Sequence, residues 1–422
     1  MIKVNFSIKK ILKSFLSKNK LIKRVSISTI LRKQEKMYFR ITQKQKIQQN
    51  LMVFSSFRGR SYSCNPKAIY EEIIKDHRFS HFNFVWFFEE PNLFENLFNN
   101  LRTKVVKYYS KEYYKILASS KVWIFNMAVP PYVFPKKEQI YIQTWHGTPL
   151  KRIGCDLDFT KNAINDETDI FKSYNREGEI ITHLISPSPF ATEKLKSAFN
   201  LINLNREEII WETGYPRNDI LNSFIPQKQE RIKQKLGIPE DKKIILYAPT
   251  WRDNQYSSRF GFTYNLQADF NKMQKHLSDQ YIILFRAHYL VANSFRFDDY
   301  KGFVFDVSDI DDINDLYLVS DLLITDYSSV FFDFANVEKP VIFYMYDLEE
   351  YRDEIRGFYL DINELPGPIV QTEEALVEAI IKSIDRDISS DRHFQIFKKK
   401  FTNLDDGNAS KRVLDNLWKE IN

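Results

Sequence analysis

The chain has 422 residues, more than one hydrophobic core usually serves, so two domains are expected. Aromatic residues make up 15% of it but only 11 glycines occur, and neither GxGxxG nor GxxxxGKS/T is present, which removes the usual dinucleotide and P-loop readings. Two cysteines, Cys64 and Cys155, exclude a disulfide framework or a zinc cluster and fit a reducing, cytosolic setting; the net charge of +6 hides a basic head, since residues 1–50 carry 14 Lys and Arg against the single acid Glu35, leaving −7 for the rest.

That basic head comes first in chain order. Ile8, Ile11, Leu12 and Phe15 recur at helical spacing, with Lys9, Lys10, Lys13 and Lys18 mostly off the stripe. A helix here would show one apolar and one cationic face and lie on an anionic membrane surface. The alternatives are a solvated basic helix packed on its own body and a disordered tail. No run of about 18 apolar residues predicts a spanning helix, and the lysines interrupt any signal-peptide core.

Residues 50–56 read as a short apolar strand, followed by a loop and a helical stretch at 66–75. Strands are expected again at 81–88, 121–127, 139–144 and 183–186, with helices such as 111–118 and 189–199 between several of them. A composition break at 222–239 marks the domain boundary. A second series follows, with strands at 243–247, 281–285, 302–305, 322–325 and 340–344. Short apolar strands alternating with helices predict parallel sheets covered on both faces. The expected fold class is therefore α/β: a basic segment at 1–50, then two open domains at 51–225 and 226–422 facing a central cleft.

Ligands of such sheets bind beyond the carboxyl ends of the strands, and five strand ends here carry unusual polar residues. His146 and Thr148 follow the strand at 139–144; Arg217 lies in GYPRND; Thr250 and Arg252 lie in YAPTWR; Arg286 and His288 flank Ala287; Asp326 precedes Ser328 and Ser329. Guanidinium forks, imidazoles and hydroxyls around one cleft suit a substrate with several phosphate oxygens. His146 on a turn before Gly147 reads either as a proton acceptor or as a structural turn residue. Ser328 and Ser329 sit at a helix start, where they bind an anion or merely cap the helix. Asp333, one turn later, is either a hydroxyl acceptor or a solvated helix acid. His77, His81, His183, His276 and His393 show no metal-site spacing and read as structural or exposed.

Taken together, QTWHGTPL at 143–150, SPSPF at 186–190, GYPRND at 214–219, YAPTWR at 247–252, RAH at 286–288 and TDYSSVFFDF at 325–334 resemble the CDP-glycerol glycerophosphotransferase family, with Asp406, Gly407, Ala409 and Ser410 as a late echo. The resemblance implies a GT-B-like fold of two Rossmann-like domains, with CDP-glycerol held mainly by the second and a lipid-linked acceptor reaching the cleft over the first. It makes His146 the general base, with Gly147, Thr148, Pro149 and Leu150 framing the transferred group. Arg217, Pro249, Thr250, Arg286, Ala287, His288, Ser328, Ser329 and Asp333 would line the donor site, with His288 also catalytic through the charge it stabilises on the phosphates. No tightly bound cofactor is implied, and Mg²⁺ arriving on the diphosphate is left open. The implied partners are an undecaprenyl-diphosphate-linked acceptor or growing polyol-phosphate chain and, through residues 1–50, the cytoplasmic face of the cell membrane; nucleic acid is not among them. The competing readings are a CDP-ribitol ribitolphosphotransferase, a GT-B nucleotide-sugar glycosyltransferase, and a noncatalytic basic protein that binds membrane or nucleic acid.

Overall fold

The computed structural model describes residues 20–422 apart from 99, 158–166, 224–225, 251–255, 258–260, 263–267, 288–296 and 351–356, with the backbone alone at 20–28, 167–168, 256–257 and 261–262. The apolar stripe of residues 8–15, His288 and Arg252 therefore lie outside the described residues.

Two parallel sheets carry the fold. The first holds β1 (Gln48–Ser55), β2 (Asn83–Phe88), β3 (Thr103–Lys107), β4 (Ser120–Phe125), β5 (Ile140–Gln143), β6 (His183–Ser186) and β7 (Ile210–Glu212), in the order β3-β2-β1-β4-β5-β6-β7. The second domain opens with β8 (Lys243–Tyr247) and a two-stranded hairpin, β9 (Tyr256–Ser257) and β10 (Gly261–Phe262). Its sheet adds β11 (Tyr281–Phe285), β12 (Val304–Asp306), β13 (Leu322–Thr325), β14 (Val341–Tyr344) and β15 (Ile369–Val370), in the order β12-β11-β8-β13-β14-β15. Both orders reverse direction beside their first strand, the doubly wound pattern that opens a crevice at the strand ends. The reversal falls between β1 and β4 in one sheet and between β8 and β13 in the other.

The central strands are continuous apolar runs because helices cover both faces. Val122, Trp123 and Ile124 of β4 are wholly buried, as are Ile244, Ile245 and Leu246 of β8, and full burial of such a side chain stabilises by roughly 1.5–3 kcal/mol. Each sheet has a core on either face.

Three features go beyond the main sequence reading or correct it. The helix Lys20–Thr42 docks on the first domain: Tyr38 is buried, donates to the Phe134 carbonyl at 2.6 Å and accepts from the Phe134 amide at 3.0 Å. This end of the basic head is thus packed on the body, and β1 already begins at Gln48. Past His146 the chain pairs with the second domain, where Lys151 bridges to Phe358 and the Tyr359 amide donates to the Leu150 carbonyl at 2.9 Å. The helix Ala409–Ile421, assigned by sequence to the second domain, returns to the first and buries Val413, Leu414 and Leu417 in the core that holds Phe79, Ile185 and Tyr215. Asp219 accepts from the amides of Ala409 and Ser410, both at 2.8 Å, and so caps that helix from the first domain.

Candidate active site

His146 is fixed by a tightly held turn. β5 ends at Gln143; the Thr144 amide donates to the Phe125 carbonyl at 2.7 Å, and Trp145 takes a left-handed conformation with φ 52°, which L side chains rarely adopt. Asn65 Nδ2 donates to the carbonyls of Thr144 and Trp145 at 3.0 and 3.2 Å. His146 Nδ1 lies 2.8 Å from the Asn126 carbonyl oxygen. A carbonyl only accepts, so in the neutral ring Nδ1 carries the proton and Nε2 presents its lone pair. Burial pushes the ring's pKa down to about 4; the Asn126 carbonyl opposes this, and the Arg217 and Arg60 guanidiniums add to it. His146 is therefore neutral and able to accept a proton at pH 7.

A cavity of about 440 Å³ lies between the domains at this turn. The first domain supplies His146, Gly147, Thr148, Pro149 and Leu150 to its wall. The second supplies Pro249 and Thr250 after β8, Arg286 and Ala287 after β11, and Ser328 and Ser329 after β13. Most of the residues singled out from sequence thus meet in one crevice, at the strand ends. Asp326 Oδ1 accepts from the amides of Thr250 and Tyr327 at 2.8 and 2.6 Å and ties two of those ends together. Arg286 is anchored by Nη1 to the Val307 carbonyl at 3.0 Å, and its pKa is pulled below the ordinary value by burial. Ser329 occupies the cap position of the helix Val330–Phe334 but makes no side-chain cap bond, so simple capping does not account for its hydroxyl. Gly147 passes so close that a Cβ there would stand 2.8 Å from Ser329 Oγ.

Arg217 and Asp333 are placed differently from the expectation of direct donor contacts. Both are buried and pair with each other across the domains, Nη2 to Oδ2 at 2.5 Å. Arg217 Nη1 also donates to the His146 carbonyl at 2.8 Å, and Asn218 Nδ2 donates to Asp333 Oδ1 at 2.9 Å. Both Asp333 oxygens are engaged and the side chain is buried, so it is not a solvated helix acid, and it is not among the residues that line the cavity. The pair instead joins the His146 turn to the helix that starts at Ser329. Asp405 extends the network, accepting from the Tyr215 amide, Asn218 and Asn336, and burial pushes its carboxyl up to about 7. On the far side of Arg217 a second cavity of about 350 Å³, lined by residues including Lys67, Glu71 and Asp312, carries mixed charge.

Sequence reasoning missed Asn65 and Asn126. Asn126 was within its reach, being a polar residue just past the end of β4, where the strand-end rule applies; Asn65, at the start of the helix Cys64–Ile73, left no such signal. Among the described residues no group of three His, Cys, Asp or Glu side chains is placed to hold a metal ion.

Residues 37–419 match the family described as CDP-glycerol:poly(glycerophosphate) glycerophosphotransferase. The chain is 40% identical to a teichoic acid glycerol-phosphate transferase of Staphylococcus aureus, over 88% of this chain and 93% of that one. It is 37% identical to a teichoic acid poly(glycerol phosphate) polymerase of Bacillus spizizenii, over 87% and 92%. A poly(ribitol-phosphate) polymerase of the same organism is 30% identical, over 88% of this chain and 56% of that one. Structures of the wall teichoic acid polymerase TagF superpose with a TM-score of 0.82 at 34% identity, covering 97% of this chain and 98% of that one; among them is a histidine-to-asparagine variant soaked with CDPG. With a match that spans both sheets and the crevice between them, the chain belongs to the CDP-glycerol:poly(glycerophosphate) glycerophosphotransferase family.

Proposed function

We propose that the crevice binds CDP-glycerol and transfers its glycerol phosphate to a hydroxyl at the end of a lipid-linked acceptor or growing polyol-phosphate chain. The acceptor oxygen attacks the phosphorus that bears glycerol while the bond from that phosphorus to the bridging oxygen breaks. His146 Nε2 takes the hydroxyl proton, and CMP leaves with the electron pair. In this reading Arg286 and the hydroxyls of Thr250, Ser328 and Ser329, which line the crevice from the second domain, meet the phosphate oxygens, and such preorganised donors supply most of the acceleration in phosphoryl transfer. His288, outside the described residues, retains its sequence-based role beside Arg286. The bound diphosphate adds negative charge near His146, which raises its pKa toward the working range of a base.

One observation carries the reading: the Asn126 carbonyl on Nδ1 leaves Nε2 as the proton acceptor, in a cavity lined by phosphate-compatible groups. The test is CMP release from CDP-glycerol or CDP-ribitol, and nucleoside diphosphate release from a nucleotide sugar, each with an undecaprenyl-diphosphate-linked acceptor analogue. Acceptor-dependent CMP from CDP-glycerol is expected, with turnover cut by about 10²-fold or more in His146→Ala and donor affinity kept. Release from CDP-ribitol alone would change the donor; release from neither would overturn the reading.

We further propose that the enzyme works at an anionic membrane surface through its basic head. The helix Lys20–Thr42 supports this, because Ile30, Leu31 and Phe39 are exposed beside exposed Arg32, Lys33, Lys36 and Arg40. No described helix is long and apolar enough to cross a membrane.

A further inference from the structure

His146 follows a residue in a conformation that must be held in place, and a buried polar chain holds it. Gln143, fully buried at the end of β5, accepts from the Trp145 amide through Oε1 at 3.1 Å. Its Nε2 donates to Glu177 Oε1 at 3.0 Å and to the Tyr141 hydroxyl at 3.3 Å. Tyr141 in turn donates to the same Glu177 oxygen. Glu177 sits on the helix Glu167–Ile180 and is 2% exposed; its other oxygen lies 3.8 Å from the Arg176 guanidinium and makes no hydrogen bond among the described residues. The same helix carries Tyr174, whose ring meets Trp145 edge-on at 5.9 Å, and Trp145 packs on the His146 ring at 4.3 Å.

A buried carboxyl is costly unless hydrogen bonds compensate it, and burial holds the Glu177 pKa above the ordinary range despite the Tyr141 and Gln143 bonds that pull it down. Nothing in the cavity wall includes Glu177 or Gln143. The amide that the chain ends on is that of Trp145, whose left-handed φ sets where the next residue points. We propose that Glu177 and Gln143 are positioning residues for the transfer reaction: Glu177 orients the Gln143 carboxamide, which pins the Trp145 turn and thereby aims His146 Nε2 at the acceptor hydroxyl. The inference rests on His146 as the base.

A displacement of about 1 Å at a reacting group costs up to about 10²-fold in rate. Gln143→Met keeps the length of the side chain and removes all three of its hydrogen bonds; kcat is expected to fall about 30-fold, with the KM for CDP-glycerol changing less than about 3-fold. Glu177→Leu should lower kcat in the same way, and Glu177→Gln, which keeps an oxygen for Tyr141 and Gln143, should restore most of that loss. Thermal unfolding of each variant separates lost fold from lost aim, because kcat is compared per folded enzyme. The deciding experiment places Gln143→Met in the His146→Ala background. If the chain acts through His146, the second substitution leaves the residual kcat unchanged. A further 30-fold loss there, or a KM effect larger than the kcat effect in the single variant, overturns the proposal. Near-normal turnover in His146→Ala alone would instead remove the base on which it rests.

Discussion

Asp333→Asn removes one charge from the pair that joins the two domains and nearly conserves shape. Arg217 and Asp333 have side chains only 8% and 6% exposed and meet at 2.5 Å, so the change leaves a buried guanidinium without its counter-charge. Breaking such a pair costs about 3–5 kcal/mol. The new amide offers one oxygen where the carboxylate offered two, so Arg217 Nη2 and Asn218 Nδ2 compete for it. At roughly 2 °C per kcal/mol, the low end for larger domains, Tm should drop by about 6–10 °C. Removing both charges in an Arg217→Met, Asp333→Leu double variant should destabilise less than the two single changes added together, because no charge is then stranded. Thermal unfolding followed by circular dichroism at one protein concentration measures the wild type and the four variants. A shift under about 2 °C in Asp333→Asn, or a double variant as unstable as the sum of the singles, would refute the assignment of this pair as a buried interdomain tie.

Three further outcomes follow from the site. Since the His146 pKa is depressed to about 4, the neutral, competent ring persists as pH falls below 6.5 and is lost only near pH 4; a histidine NMR titration of the unliganded enzyme, with the signal assigned by its loss in His146→Ala, should find it there, and a midpoint at 6–6.5 would contradict the burial argument. Gly147→Ala should raise the KM for CDP-glycerol several-fold while changing stability by less than about 1 kcal/mol, because the added carbon, 2.8 Å from Ser329 Oγ, can be relieved by turning that hydroxyl away from the cavity; steady-state kinetics with an unchanged KM would contradict it. Reversing the exposed charges Arg32, Lys33, Lys36 and Arg40 to glutamate should weaken flotation with anionic liposomes, by about 1 kcal/mol for each base near the surface, and equal flotation of both proteins would end the membrane proposal.

Most of the α/β architecture could be read from the sequence because its central strands are buried on both faces. β4, β5, β8, β11, β13 and β14 are each built on a short unbroken apolar run, and such runs stand out without any partner information. Of the four strands at the edges of the two large sheets, only β12 did, expected at 302–305 and found at Val304–Asp306. β3 reads Thr-Lys-Val-Val-Lys with only Val106 buried, and β7 and β15 are three and two residues long. The helix Glu167–Ile180 was missed because its composition is polar and its buried Glu177 looks like surface charge until Tyr141 and Gln143 are brought to it. Among site residues, those at the strand ends were legible because charge and hydroxyls stand out after apolar runs. The roles of Arg217 and Asp333 were not, since a pairing between residues 116 apart in sequence leaves no local trace.

The return of the helix Ala409–Ile421 to the first domain bears on how the protein is made. The first sheet and its other helices are synthesised before residue 223, but the surface that receives Val413, Leu414 and Leu417, with Phe79 against Trp418 at 5.4 Å, waits until the entire second domain has emerged. During that interval a strip of aromatic and aliphatic side chains stays open to solvent on a half-finished molecule. Domains generally fold in order of synthesis and exposed apolar surface invites association, so for this chain the interval of translation between residues 223 and 409 is the period of greatest exposure to aggregation and the natural moment for a chaperone to bind.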